Sequence, residues 1–129
     1  MAVAEYPKMQ SPPLVAVVDD DSMVRSSLTR LLRSMGLQAR AFDSAEAFLA
    51  GSNEAVDCVI SDMQMPGMSG LALQRVIRAS RPALPVIFMT AFPDAVTRTR
   101  AMAEGAGCYL EKPCSADDLS RCLDRALNL

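Results

Sequence analysis

Hydrophobic and polar positions change period along this chain in a regular way. Leu14-Val15-Ala16-Val17-Val18 is a continuous apolar, largely β-branched run, the pattern of a strand covered on both faces. It stops at Asp19-Asp20-Asp21. Val24, Leu28, Leu31, Leu32 and Met35 then fall on one helical face, which Gly36 closes. Residues 37–42 predict a second strand. Asp43 caps a short helix, with Glu46 three residues on, close to a capping box. Residues 56–61 predict a third strand that ends on Asp62. The turn Met65-Pro66-Gly67-Met68-Ser69-Gly70 leads into a helix with Leu73, Val76 and Ile77 on its apolar face. Residues 85–90 are a fourth strand whose proline stands first, where a missing N–H is tolerated. A helix over 94–104 closes at Gly105, and residues 107–111 are a fifth strand. Ser115 and Asp118 cap a last helix carrying Leu119, Cys122, Leu123 and Leu127.

Strand and helix alternate five times, and each parallel connection needs a crossover. The pattern therefore predicts an α/β fold, a doubly wound parallel sheet with helices on both faces. At 129 residues the chain holds one such domain. It is expected over residues 14–129, behind a disordered tail at 1–13 that contains Pro7, Pro12 and Pro13.

Composition narrows the chemistry. There is no histidine, which removes Ser-His and Cys-His catalysis and every histidine metal site. A net charge of −2 with no basic run argues against direct nucleic-acid binding. No apolar window is long enough to span a membrane, and the start is not a secretory signal, so a reduced cytoplasmic protein is expected. Cys58, Cys108, Cys114 and Cys122 form no C-x-x-C pair and read as buried or idle thiols. The only lysine beyond the tail is Lys112.

Ligands of open parallel sheets bind beyond the carboxyl ends of the strands. Here those ends read Asp19-Asp20-Asp21, Asp62, Thr90 and Lys112. Singly they are ordinary: an N-cap run, a turn aspartate, a strand threonine, a solvated lysine. Jointly they place a cluster of acidic side chains, a hydroxyl and an ammonium on one rim. Clustered carboxylates call for a hard divalent cation, and Mg²⁺ keeps coordination positions open for phosphate oxygens. An aspartate there can attack phosphorus, with the lysine and hydroxyl offsetting charge on the transferring group. The rim reads as a site for accepting phosphate on a carboxylate.

Four segments carry a resemblance: Val17-Val18-Asp19-Asp20-Asp21, Ser61-Asp62-Met63-Gln64-Met65-Pro66-Gly67-Met68-Ser69-Gly70, Thr90-Ala91 and Glu111-Lys112-Pro113. Together they resemble the receiver domain of two-component response regulators over nearly all of residues 14–128. The Ser44-Ala45-Glu46-Ala47-Phe48-Leu49 stretch is most similar to the FixJ-type branch. The resemblance implies a CheY-like (flavodoxin-like) sheet of order 2-1-3-4-5. It implies Asp62 as phosphoacceptor, with Mg²⁺ (or Mn²⁺ in its place) held by Asp20, Asp62 and the Gln64 backbone carbonyl, and by Asp19 through water. It further implies Thr90 and Lys112 as partners of the phosphoryl group, Tyr109 as a rotamer switch coupled to Thr90, and a cis bond before Pro113. The implied phosphodonor is a histidine kinase, since the chain has no histidine of its own to phosphorylate. The chain would catalyse only its own phosphorylation and dephosphorylation. A homodimer or output contact is implied on the face of the fourth helix, fifth strand and fifth helix, where Arg98, Arg100, Arg121 and Arg125 are candidates or else lie on solvated faces.

The sequence departs from the family at Cys114, where phenylalanine is common after Lys-Pro. Phe92 and Gln64, two residues past Thr90 and Asp62, stand where the family modulates dephosphorylation; an apolar Phe92 cannot orient water and is expected to prolong the phosphorylated state. A haloacid-dehalogenase-type phosphohydrolase would want a carboxylate at Gln64, and a flavin mononucleotide binder would want a hydroxyl-rich loop where three aspartates stand. The FixJ-like stretch points to a regulator of transcription as the output, either through an attached domain or through protein contact.

Overall fold

Alternate residues of the first strand feed two different cores, so the sheet is buried on both sides. The computed structural model describes residues 12–51 and 53–129. Its strands are β1 Leu14–Val18, β2 Gln38–Phe42, β3 Cys58–Asp62, β4 Val86–Thr90 and β5 Cys108–Glu111, all parallel in the order β2-β1-β3-β4-β5. The helices are α1 Ser22–Ser34, α2 Ala45–Ala50, α3 Gly70–Ser80, α4 Ala95–Ala103 and α5 Ala116–Leu127. Val15 and Val17 pack with Leu28 and Leu32 of α1 and Leu119 and Leu123 of α5. Ala16 and Val18 face the other way, toward Phe48 of α2 and Leu73 and Ile77 of α3. This is strand alternation doing what a parallel sheet requires. Each fully buried leucine or valine in these layers contributes roughly 1.5–3 kcal/mol.

The predicted doubly wound α/β fold is present, and the differences are local. β3 starts at Cys58, because the residue before it is committed elsewhere. The Asp57 N–H donates to the Leu14 carbonyl and its carboxylate accepts the Leu14 N–H, both at 2.8 Å. Asp62 is the last residue of β3 rather than the residue after it. Ser44, not Asp43, caps α2: its hydroxyl accepts the Ala47 N–H at 3.0 Å, which leaves Glu46 free for another task. On α3, Val76 is exposed, and Gln74 occupies the buried face instead, donating to the carbonyls of Ala101 and Glu104.

Residues 1–11 of the expected tail lie outside the described residues. Pro12 and Pro13 are tied in, since their carbonyls accept from the Gln38 side chain and backbone N–H. The expectation of buried or idle thiols without a disulfide is also corrected: Cys108 and Cys122, both buried, form a disulfide, with Cα atoms 6.1 Å apart. A scan for short Cys spacings misses it because α5 folds back over β5, bringing together residues 14 apart in sequence. No helix among the described residues is long and apolar enough to cross a membrane.

Candidate functional site

The three consecutive aspartates after β1 divide their work. Asp21 caps α1, its carboxylate accepting the N–H groups of Met23 (2.9 Å) and Val24 (3.4 Å). Asp19 turns inward and is buried; one carboxylate oxygen accepts the Asp21 N–H at 2.9 Å. Arg25, one turn into α1, donates to the Asp19 carbonyl at 2.7 Å and so ties the loop to the helix. Asp20 is exposed at the rim. With Asp62 these form a cluster: one carboxylate oxygen from each of Asp19, Asp20 and Asp62 lies within 4.8 Å of the others.

Lys112 reaches this cluster from the end of β5. Its Nζ donates to Asp19 Oδ2 at 2.8 Å and lies 3.5 Å from Asp62 Oδ2. The peptide bond that follows it, Lys112–Pro113, is cis. Lys112 is held in line by β4, because its own N–H donates to the Thr90 carbonyl at 2.7 Å. The Thr90 side chain is 1% exposed, and its Oγ1 accepts the Phe92 N–H at 3.1 Å. That bond uses the oxygen as acceptor and leaves the hydroxyl proton to be donated elsewhere. Asp19, Asp20, Asp62, Gln64, Phe92 and Lys112 line one depression of about 280 Å³.

The electrostatics are unbalanced. Burial, and then the Asp19 charge, push the Asp62 carboxyl above its ordinary range, with Lys112 and the Gln64 N–H pulling the other way. Burial alone would lower the Lys112 pKa, but the hydrogen bond and charge of Asp19 and the charge of Asp62 raise it overall. One ammonium faces three carboxylates. That deficit of positive charge suits a hard divalent cation with oxygen ligands.

The loop after β3 is held by two devices. A Cβ on Gly70 would meet the Asp62 carbonyl oxygen at 2.2 Å and Met63 Cα at 2.9 Å, so the start of α3 can approach the strand end only without a side chain. The Gly70 N–H closes this loop on the Met63 carbonyl at 2.9 Å. Gly67, at φ +77°, makes the turn, and there Glu46 of α2 reaches over to accept the Met68 N–H at 2.9 Å. Glu46 and Arg25 are contributors that sequence reading missed. Their partners are backbone groups of another element, and residue type alone does not announce such a pairing.

Tyr109 sits apart from the cluster, on the α4 side of β5. It pairs in register with Phe88, packs against the core shared with α3, and lines a depression with Asp94, Arg98 and Glu111. Its hydroxyl is buried with no hydrogen-bond partner among the described residues. The structure thus joins Asp19 and Asp62 through Lys112 and sets an Asp20 oxygen within 4.8 Å of theirs. It places Gln64 on the same depression and Thr90 beside it on β4, and sets Tyr109 one strand position past Cys108, facing α4.

Comparison with known proteins gives this geometry its context. The profile of the response regulator receiver domain matches residues 15–124. The chain is 41% identical over 116 residues to the DNA-binding transcriptional regulator NtrC of Escherichia coli K12, covering 89% of this chain and 25% of that protein. It is 38% identical over 114 residues to the transcriptional regulatory protein FixJ of Bradyrhizobium diazoefficiens, covering 88% of this chain and 56% of that one. Among solved structures, a response regulator receiver domain from Clostridium thermocellum superposes with a TM-score of 0.84 at 33% identity, covering 90% and 94% of the two chains. The chain spans about a quarter of the NtrC relatives and about half of FixJ. With the profile running from β1 into α5 over a parallel sheet of order β2-β1-β3-β4-β5, the chain belongs to the response regulator receiver domain family.

Proposed function

We propose that Asp62 is the phosphoacceptor of this receiver, that Asp19, Asp20, Asp62 and the Gln64 carbonyl hold Mg²⁺, and that Thr90 and Lys112 secure the phosphorylated form. The general task of the family is phosphorylation by a kinase, and its receivers bind Mg²⁺ at an acidic pocket. The observation that carries the residue assignment is the buried Asp62 carboxylate, crowded by Asp19 and facing the only lysine among the described residues. A bound Mg²⁺ supplies the positive charge that offsets these carboxylates and the phosphoryl oxygens.

The chain's own residues do the rest. A carboxylate oxygen of Asp62 forms a bond to phosphorus as the bond from phosphorus to the donor nitrogen of a kinase histidine breaks. Lys112 already spans Asp19 and Asp62 and can shift its ammonium to the new dianion without leaving the depression. Thr90 turns its free hydroxyl proton toward the phosphoryl group. The space it leaves on β4 is what Tyr109, with its unpartnered hydroxyl, can exploit. The readout surface is the α4–β5–α5 face, where Val96 and Met102 are exposed beside Arg98 and Arg100 and a second copy or an output partner can dock. Residues 14–129 act as the receiver unit, in the cytoplasm, and control of transcription is the output that NtrC and FixJ suggest.

The test is incubation with acetyl phosphate and Mg²⁺ followed by intact mass. The expected result is one phosphoryl group per chain, lost with chelator and lost in Asp62→Asn. Steady turnover of varied phosphate esters without a stable adduct would overturn the reading in favour of a phosphohydrolase.

A further inference from the structure

Cys108 begins β5 and Cys122 lies on the face of α5 that packs against it; both are buried, and their sulfurs are joined. A cation is aimed at them. Arg125, one turn beyond Cys122, folds its guanidinium back so that Nη2 lies 2.8 Å from Cys108 Sγ and 3.8 Å from Cys122 Sγ. Arginine at a sulfur stabilises the thiolate, the form that reacts with oxidants. The other two cysteines have the opposite surroundings. Burial and the Asp57 charge push the Cys58 thiol up to about 12, while burial and Asp118 raise that of Cys114.

We propose that Cys108 and Cys122 form a peroxide-responsive thiol pair in which Arg125 activates Cys108, Cys122 resolves it, and the resulting disulfide fastens α5 to β5. The Cys108 thiolate attacks one oxygen of hydrogen peroxide. A sulfur–oxygen bond forms, the oxygen–oxygen bond breaks, and the departing hydroxide takes a proton to become water. Cys122 then gives up its proton and attacks the sulfenic sulfur; the disulfide forms and a second water leaves. Two thiols lose two electrons and two protons, and one peroxide becomes two waters. Burial of both sulfurs selects a water-sized oxidant over a bulky disulfide such as oxidised glutathione. Where thiols are kept reduced, a disulfide of this kind is transient and responsive rather than structural.

The location gives the bond a consequence. Cys108 faces α5, and its neighbour Tyr109 faces α4, because consecutive strand residues point to opposite sides. Oxidation therefore pins the strand that carries Tyr109 to one of the two helices flanking it. The chemistry does not depend on the phosphoacceptor reading, and its test uses no phosphodonor.

The full chain is reduced, treated with hydrogen peroxide, alkylated under denaturing conditions and mapped without reduction. The expected result is a linked peptide joining Cys108 and Cys122, with Cys58 and Cys114 still alkylated and all four cysteines recovered after dithiothreitol. Arg125→Gln, at an exposed residue, should slow formation of the link roughly tenfold, while Arg125→Lys stays near wild type. In Cys122→Ser, Cys108 should accumulate as a sulfenic acid, captured by a dimedone probe added together with denaturant so that the buried sulfur is reached. Faster oxidation of Cys114 or Cys58, no linked peptide, or equal rates in Arg125→Gln and wild type would overturn the proposal.

Discussion

Asp57 and Asp62 lie five positions apart, at opposite ends of β3, and they are used in opposite ways. Asp57, at the edge where the strands begin, has its carboxylate answered by the Leu14 N–H. Around it Arg81 donates to the carbonyls of Asn53 and Val56, and Arg78 to those of Pro82 and Leu84. Each charge there finds backbone of the opposite polarity, and the loops are closed by it. Asp62, at the edge where the strands end, shares its space with the Asp19 carboxylate and a single ammonium. The two edges teach a general distinction. A charged side chain matched by backbone partners serves the fold; one crowded by its own sign is held for something the fold does not contain.

Glycine substitutions should break that contrast most strongly. Gly70→Ala at the acidic edge forces a Cβ into the Asp62 carbonyl, and urea unfolding should record a loss of about 3 kcal/mol. Gly107→Ala at the opposite edge meets nothing closer than the Val86 carbonyl at 3.6 Å and should change stability by well under that. Next comes Arg81→Ala, which leaves two loop carbonyls without their donor and should cost about 1–2 kcal/mol while acetyl phosphate still labels the protein.

Asp62→Asn should act in the reverse sense. The Asp62 pKa is raised in the folded state, so the native protein holds this proton more tightly than the unfolded chain, and stability falls as pH rises through and above the ordinary carboxylate range. Removing the charge should therefore raise the melting temperature at neutral pH by a few degrees in chelator. The gain should fade toward pH 4, where the unfolded chain is protonated too, and shrink when Mg²⁺ is added to both proteins. An equal or lower melting temperature for the variant at pH 7 would mean the edge is not crowded as described.

Two smaller effects sharpen the picture of the acidic edge. Phe92 is 70% exposed yet lines the same depression as Asp62. Phe92→Ala should admit water and shorten the lifetime of the phosphorylated form severalfold, read as loss of the adduct over time. Glu46→Ala should weaken Mg²⁺ binding slightly, since Met68 and the loop it belongs to lose their tether to α2. Glu46→Gln keeps an acceptor oxygen and should bind Mg²⁺ like wild type in a titration.

Much of this was legible in the sequence, for a physical reason. Covering both faces of a parallel sheet demands continuous apolar strands such as Leu14–Val18, and the amphipathic helices between them follow the 3.6-residue period. The acidic rim was legible because strand ends are marked by the abrupt change from apolar to charged residues. What escaped were pairings between elements. Gln74 replaced Val76 on the buried face of α3 because the carbonyls at the end of α4 needed a donor, which only the packed helices reveal. Ser44 caps α2 in place of Asp43, and Glu46 accepts an N–H of the loop after β3 instead of closing a capping box. The disulfide escaped for the same reason, since Cys122 meets Cys108 only once α5 lies on β5.

Chemical location of the phosphoryl group tests the assignment of Asp62 as phosphoacceptor. The protein is treated with acetyl phosphate in Mg²⁺ or in chelator, then with borohydride, which reduces an acyl phosphate on aspartate to homoserine, and the residue is read by tandem mass spectrometry. The expected product is homoserine at position 62 alone, and only in the presence of Mg²⁺. Homoserine at position 19, 20 or 57, or labelling of Asp62 that chelator leaves untouched, would contradict it.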